Sequence, residues 1–391
     1  MKNFALLILL MLSSCGLKQI DVDIHAASDG VWYGPSYGRY MSGTCYALGL
    51  DYPKGYDWKS YPQNGDIGPC LVMFADRIPV LRMQTGESYE VSSSFSSHRI
   101  RNGKLYSDYT DGLSTVIKED GKERVRYDDA EEIICLEVCD GRIYTLGHPL
   151  GGNGFVYRVD GEKVLHRDDA ILYPHLDFHA GLASFCFSVN VREVDGYKQY
   201  HYHVTDGKVH QVDSNPDIIK VWDMRMLSGN LYMAVSFQDR SPVLVHDDEN
   251  ETVDYFNGLN MVSCTFCDSE RLCLNSRFRH SGSYLMSDIL WMGGDEWTIY
   301  RLGSTLSSVF ADKDGYNAVI NPSNGRDGYI FDGNMAYVMP DGYNVSSKDC
   351  MTRKEGTLHV GLSSVAGSEP VIWRPDGLDT LKMNGPLICL R

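Results

Sequence analysis

A unit of four short strands recurs every 39–46 residues along this 391-residue chain. That recurrence predicts an all-β protein wound as a β-propeller, with eight four-stranded blades. Three observations carry the prediction. Turn residues, mostly Asp followed by Gly, return near Asp76, Asp120, Asp160, Asp206, Asp247, Gly293, Asp332 and Asp376. Asp-Gly between apolar runs marks a tight hairpin, because type I′ turns need positive φ at both central residues. No unit holds a ten-residue stretch of helical periodicity, since Gly and Asp interrupt every candidate. Helical repeats of similar length are thereby excluded. A pair of β-sandwiches would have to produce the spacing by coincidence.

The unit is plainest in three places. Gly141-Arg142-Ile143-Tyr144 leads to Phe155–Val159 and Asp160-Gly161. Gly229-Asn230-Leu231-Tyr232 leads to Val243–His246 and Asp247, and Gly356-Thr357-Leu358-His359 leads to Val371–Arg374 and Asp376-Gly377. Each reads as a Gly turn, a strand, a polar loop, a second strand, a turn and a third strand. A further strand precedes the Gly turn, as in Ile133–Val138 and Ile218–Asp223. The last apolar run, Leu387-Ile388-Cys389-Leu390, has no unit of its own. It is expected to join the first unit near Gly43–Leu48 and lock the ring. Seven blades is the alternative, with residues 20–100 as one irregular blade.

The chain opens MKNFALLILLMLSSC. A cationic Lys2, nine uninterrupted apolar residues from Phe4 to Leu12, and small residues before Cys15 fit a secretory signal, too short to span a bilayer. Leu12-Ser13-Ser14-Cys15 resembles the lipobox of bacterial lipoproteins. The resemblance implies acylation of Cys15, removal of residues 1–14, and a polar tether over 15–28 ahead of a propeller domain at 29–391. Acyl chains, each worth ~0.8 kcal/mol per buried CH₂, would hold such a protein on a membrane without a transmembrane helix. Lipobox and divergent repeats together resemble uncharacterised propeller-type envelope lipoproteins of Bacteroidetes-like bacteria. That implies a bacterial outer-membrane location, on the periplasmic or the cell-surface side, and no particular activity.

Hydrophobic residues at 43% and charged residues at 23% are ordinary for a globular chain. A formal charge of −16 opposes nucleic-acid and anionic-membrane binding. Of eleven cysteines, Cys45, Cys135, Cys186, Cys273 and Cys389 fall in apolar strands, where a free thiol is a small buried hydrophobe. Cys264 and Cys267 lack a second ligand pair at zinc spacing.

Aligning the repeats places Arg99, Glu137, Asp177 and Arg225 in one column on the innermost strands. Charges of both signs around an axis suit a polar ligand, with Arg as the fork for carboxylates. His175, Asp177 and His179 share one face if that segment is extended. Histidines four apart lie ~13 Å apart along a strand, too far for one ion, so no metal and no cofactor are assigned. Tyr200-His201-Tyr202-His203 alternates as a strand with one half-buried side. Trp32, Tyr56 and Trp58 belong to an aromatic stretch broken by Pro and Gly. It reads as irregular loop, suited to stacking on a sugar or peptide. These features favour a lipid-anchored binding or scaffold protein, with a glycan or an envelope protein as partner. A polysaccharide-active hydrolase or lyase with its site at the axis is the alternative. No recognisable triad, phosphate loop or zinc-protease string is present.

Overall fold

The computed structural model describes residues 31–33, 44–52, 70–84, 98–110 and 113–168 apart from 153. Between 170 and 320 it describes the strands. Beyond them it describes 321–322, 327–345, 348–366 and 369–391. These residues form an all-β fold of propeller type: eight antiparallel sheets, each of four or five strands. Inside most sheets the strand order follows the chain, as in Glu131–Cys139, Arg142–Pro149, Phe155–Val159 and Glu162–Arg167 of the third sheet. Asp76, Asp120, Asp160, Asp332 and Asp376 each fall at the turn joining two consecutive strands of such a meander and Gly293 ends one of these strands, while Asp206 and Asp247 lie outside the described residues.

The first, fourth and eighth sheets hold five strands rather than four. In the first, Val31–Tyr33 is added beyond Ile78–Gln84. Trp32 is therefore on a strand, opposite Arg82, and not in the irregular loop expected of it. The opposite edge of the first sheet is the C-terminal strand Leu387–Leu390, paired with Tyr46–Asp51 as the sequence leads one to expect. Tyr46 and Arg391 exchange backbone hydrogen bonds of 2.7 and 2.9 Å, and Leu50 N–H donates to Pro386 at 3.1 Å. Asp51 reinforces the join. Its Oδ1 accepts the Asn384 N–H at 2.8 Å, and its Oδ2 pairs with Arg82.

Consecutive sheets pack on one another from the first to the sixth, and the seventh packs with the eighth and the first. Leu48, Leu71 and Leu81 of the first pack with Ile100 and Leu105 of the second. Ile117 and Tyr127 of the second meet Ile133 and Ile143 of the third. Phe155 and Tyr157 of the third meet Phe187 and Tyr202 of the fourth. Strand Ser184–Glu193 lies beside Ile218–Leu227 of the fifth sheet, which lies beside Met261–Phe266 of the sixth. Val319 and Ile330 of the seventh, Val360 and Trp373 of the eighth, and Ala47, Val72 and Leu387 of the first share one core. Middle strands are thus buried on both faces: Cys70–Ala75 and Phe155–Val159 are buried at every residue. Outermost strands such as Glu162–Arg167 face solvent. This corrects the reading of Tyr200–His203 as half-buried, since His201 and Tyr202 are both buried.

The recurring Asp does more than turn the chain. Asp76, Asp120 and Asp160 stand at φ of 55°, 49° and 50°. Each donates its N–H to, and accepts at Oδ1 the N–H of, one residue at the start of the second strand. The three partners are Cys45, Leu105 and Ile143, at 2.7–3.0 Å. The carboxylate thus carries the ladder between the second and third strands one residue past its last paired position, Ala75–Tyr46, Glu119–Tyr106 and Val159–Tyr144, and ties the hairpin turn to the second strand. Within the third sheet an ion pair faces the second sheet through the ring of Tyr127. Arg158 is held by Glu131 and Asp129 at 2.6 and 2.7 Å, with its guanidinium 4.6 Å from the Tyr127 ring centroid.

Six described cysteines are free thiols, and all but Cys139 are buried. Burial, then Asp76, pushes the Cys45 thiol up to about 12.

Two substitutions test this framework. Asp160→Ala loses the carboxylate bridge and places an ordinary side chain at positive φ. It should cost about 2 kcal/mol, while Asp160→Asn, which keeps an acceptor and tolerates that φ, should cost less than about 1. Denaturant midpoints distinguish them. Gly385 has room for no side chain, since a methyl there would fall on the Leu50 carbonyl and the Tyr52 ring. Gly385→Ala should therefore lower the melting temperature. In an unconstrained loop the same change would raise stability by about 0.4–1 kcal/mol.

Candidate functional site

The innermost strands of the second and third sheets, His98–Arg101 and Glu131–Cys139, lie side by side. In the first of these, burial alternates: His98 and Ile100 point into the core, leaving Arg99 and Arg101 on the other face. Both arginines converge on Glu137 of the neighbouring strand. Arg99 Nε donates to Oε2 at 3.2 Å and Arg101 Nη2 reaches Oε1 at 2.6 Å. The Val138 N–H also donates to Oε1, at 3.0 Å. Glu137 is almost wholly enclosed, whereas the Arg99 and Arg101 side chains keep 11% and 19% of their surface accessible.

Closure of the first sheet extends the cluster. Arg391, just past the C-terminal strand, pairs through Nη2 with Asp349 Oδ1 at 2.9 Å. Asp349 sits in a 3₁₀ turn, Lys348–Cys350, against that strand. Electrostatics join the two pairs. Burial disfavours the Arg99 cation, yet Cys135, Glu137 and Asp349 hold its pKa above the usual value, with Arg391 opposing. The Cys389 thiol is pushed up by burial while Arg391, Asp349, Arg99 and Arg101 all act on it. Burial, then Arg99, presses His98 down to about 4, so it is neutral at physiological pH. Three guanidiniums thus face two carboxylates in one patch. Planar forks with accessible edges bind carboxylate, sulfate or phosphate groups in two-point fashion.

The predicted column is partly assembled. Arg99 and Glu137 are in direct contact. Asp177 lies in Asp177–Phe178, opposite Cys186, and Arg225 lies in Ile218–Leu227, opposite Tyr232. Both occupy strands paired to the inner side of the long second strand of their sheets. Trp32 is at the edge of the first sheet remote from Leu387–Leu390. His175, His179, Tyr56, Trp58 and Cys15 lie outside the described residues. Arg101, Arg391 and Asp349 were not singled out by sequence. Arg101 had a usable signal, since it is two residues from Arg99 on a strand. Among the described residues no group of three or more His, Cys, Asp and Glu is arranged to hold a metal ion.

No family model matches the chain. Desmoglein-4 of Mus musculus is 30% identical over 116 residues, covering 28% of this chain and 11% of desmoglein-4. Its Rattus norvegicus counterpart is 24% identical over 293 residues, covering 73% and 23% respectively. The chain therefore spans less than a quarter of the curated relatives it matches. Among solved structures, the β-propeller domain of the Trilobed protease from Pyrococcus furiosus is 11% identical, covering 70% of this chain and 87% of that one, with a TM-score of 0.40. The acylaminoacyl peptidase of Pyrococcus horikoshii is 9% identical, with coverages of 78% and 52% and a TM-score of 0.42. TolB from Acinetobacter baumannii is 12% identical, with coverages of 84% and 80% and a TM-score of 0.34.

Proposed function

We propose that this protein is a lipid-anchored binding or scaffold module of the bacterial envelope. Its eight sheets act as the blades of one closed ring, and the inner-strand arginine patch receives an acidic group of a glycan, peptide or partner protein. The observation that carries the reading is the excess of guanidinium in the Arg99, Arg101, Glu137, Asp349 and Arg391 cluster. The whole chain carries −16, so a locally cationic patch runs against its average charge. Partial charge excess in a recessed site attracts anions selectively.

The same geometry favours binding over acid–base catalysis. Glu137 accepts from two guanidiniums and a backbone N–H, which occupies the lone pairs a general base would use. Glycoside hydrolysis calls for two carboxyl groups facing a common substrate, whereas Glu137 and Asp349 each face an arginine. The anchoring half of the proposal rests on Leu12-Ser13-Ser14-Cys15. No helix of the described residues is long and apolar enough to cross a membrane.

Each half has its own test. Cys15→Ala should move the protein from the membrane pellet to the soluble fraction and abolish incorporation of labelled palmitate; membrane retention of the unlabelled variant would end the anchoring claim. Oligogalacturonides and sulfated oligosaccharides should bind with affinity that falls as salt rises, and Arg101→Ala should weaken them at least tenfold. Neutral glucans of equal length should not bind. Equal affinity of the variant, or preference for the neutral series, would end the anion-binding claim.

A further inference from the structure

The fourth sheet carries a second cluster, away from the arginines. Its register sets Asp177 opposite Cys186, Cys186 opposite His203, and His203 opposite His210. Residues directly opposite in antiparallel strands share a face of the sheet. The backbone register therefore sets Asp177, Cys186, His203 and His210 in one cross-strand row. At its outer end the side-chain geometry is explicit. The imidazoles of His203 and His210 stack with centroids 4.9 Å apart and planes 20° apart. His203 is half-buried and His210 exposed, so a hydrated ion can reach the pair.

The two rings stand side by side on adjacent strands. Two nitrogens bound at about 2.0–2.1 Å to one ion stand about 3 Å apart, a separation that the 4.9 Å spacing of the ring centroids allows once the side chains rotate. The acidic surface adds a general attraction for cations.

We infer that His203 and His210 together bind a transition-metal dication, Zn²⁺ or Cu²⁺, on the outer strands of the fourth sheet. Imidazole donors select these ions over Mg²⁺ and Ca²⁺, which prefer oxygen. The inference is independent of the arginine patch.

Calorimetric titration of the full chain with Zn²⁺ and Cu²⁺ tests it, with Mg²⁺ as control. One equivalent should bind in the micromolar range, and Mg²⁺ should not bind. Electron paramagnetic resonance of the Cu²⁺ form should show hyperfine coupling to two equivalent nitrogens. His210→Ala, at an exposed position, should preserve the melting temperature, weaken binding at least tenfold and reduce the spectrum to one coupled nitrogen. His203→Gln should do the same to binding. Absence of saturation by either ion at 100-fold excess over protein would overturn the inference. So would unchanged affinity in both variants, or a spectrum without nitrogen coupling.

Discussion

The middle strands of the first and third sheets are apolar on both sides, and a sheet cannot cover both of its own faces. Tyr46–Asp51, Cys70–Ala75 and Phe155–Val159 are buried throughout their length. Such strands are stable only when a neighbour lies against each face. The requirement passes from sheet to sheet and is satisfied at the ends by Leu387–Leu390, which enters the first sheet and packs against the eighth. Asn384 and Asp51 meet across 333 residues of sequence. Pairing across such a separation has a high loop-closure cost, so it persists only because four fully or nearly fully buried residues, Leu387 to Leu390, are gained with it. Arg391 directly follows that strand, so the join that completes the core also delivers the third guanidinium of the candidate site.

The turn aspartates show how a local preference becomes an architectural one. Positive φ alone would be met by Asn or Gly. The paired N–H and Oδ1 bonds to Cys45, Leu105 and Ile143 explain why Asp recurs there. At Asp332 the carboxylate instead accepts from Asn334 and Met335 within its own turn, so the bridge is not made in every sheet.

What sequence reveals here depends on range. Asp-Gly turns and the spare apolar strand at the end are local signals, and they located the meanders and the closing strand. The repeat period then aligned Arg99 with Glu137, which touch. Signals that depend on register between distant segments were invisible. Asp349 joins the patch through a 3₁₀ turn with no counterpart in the repeat. The Asp177, Cys186, His203 and His210 row needs strand pairings that a two-residue slip would dissolve. Gly and Pro near Trp32 hide a three-residue strand that pairs with Leu81–Met83. Alternation in Tyr200–His203 suggests one buried side, but both His201 and Tyr202 are buried because both faces are covered.

Native-state amide exchange under increasing denaturant tests the closure most directly. The amides of Tyr46, Leu50 and Tyr52 donate to Arg391, Pro386 and Asn384, and that of Arg391 donates to Tyr46. They should open together, with one free energy equal to that of global unfolding. Free exchange at Arg391 while Tyr46 and Leu50 stay protected would contradict a ring locked by its two ends.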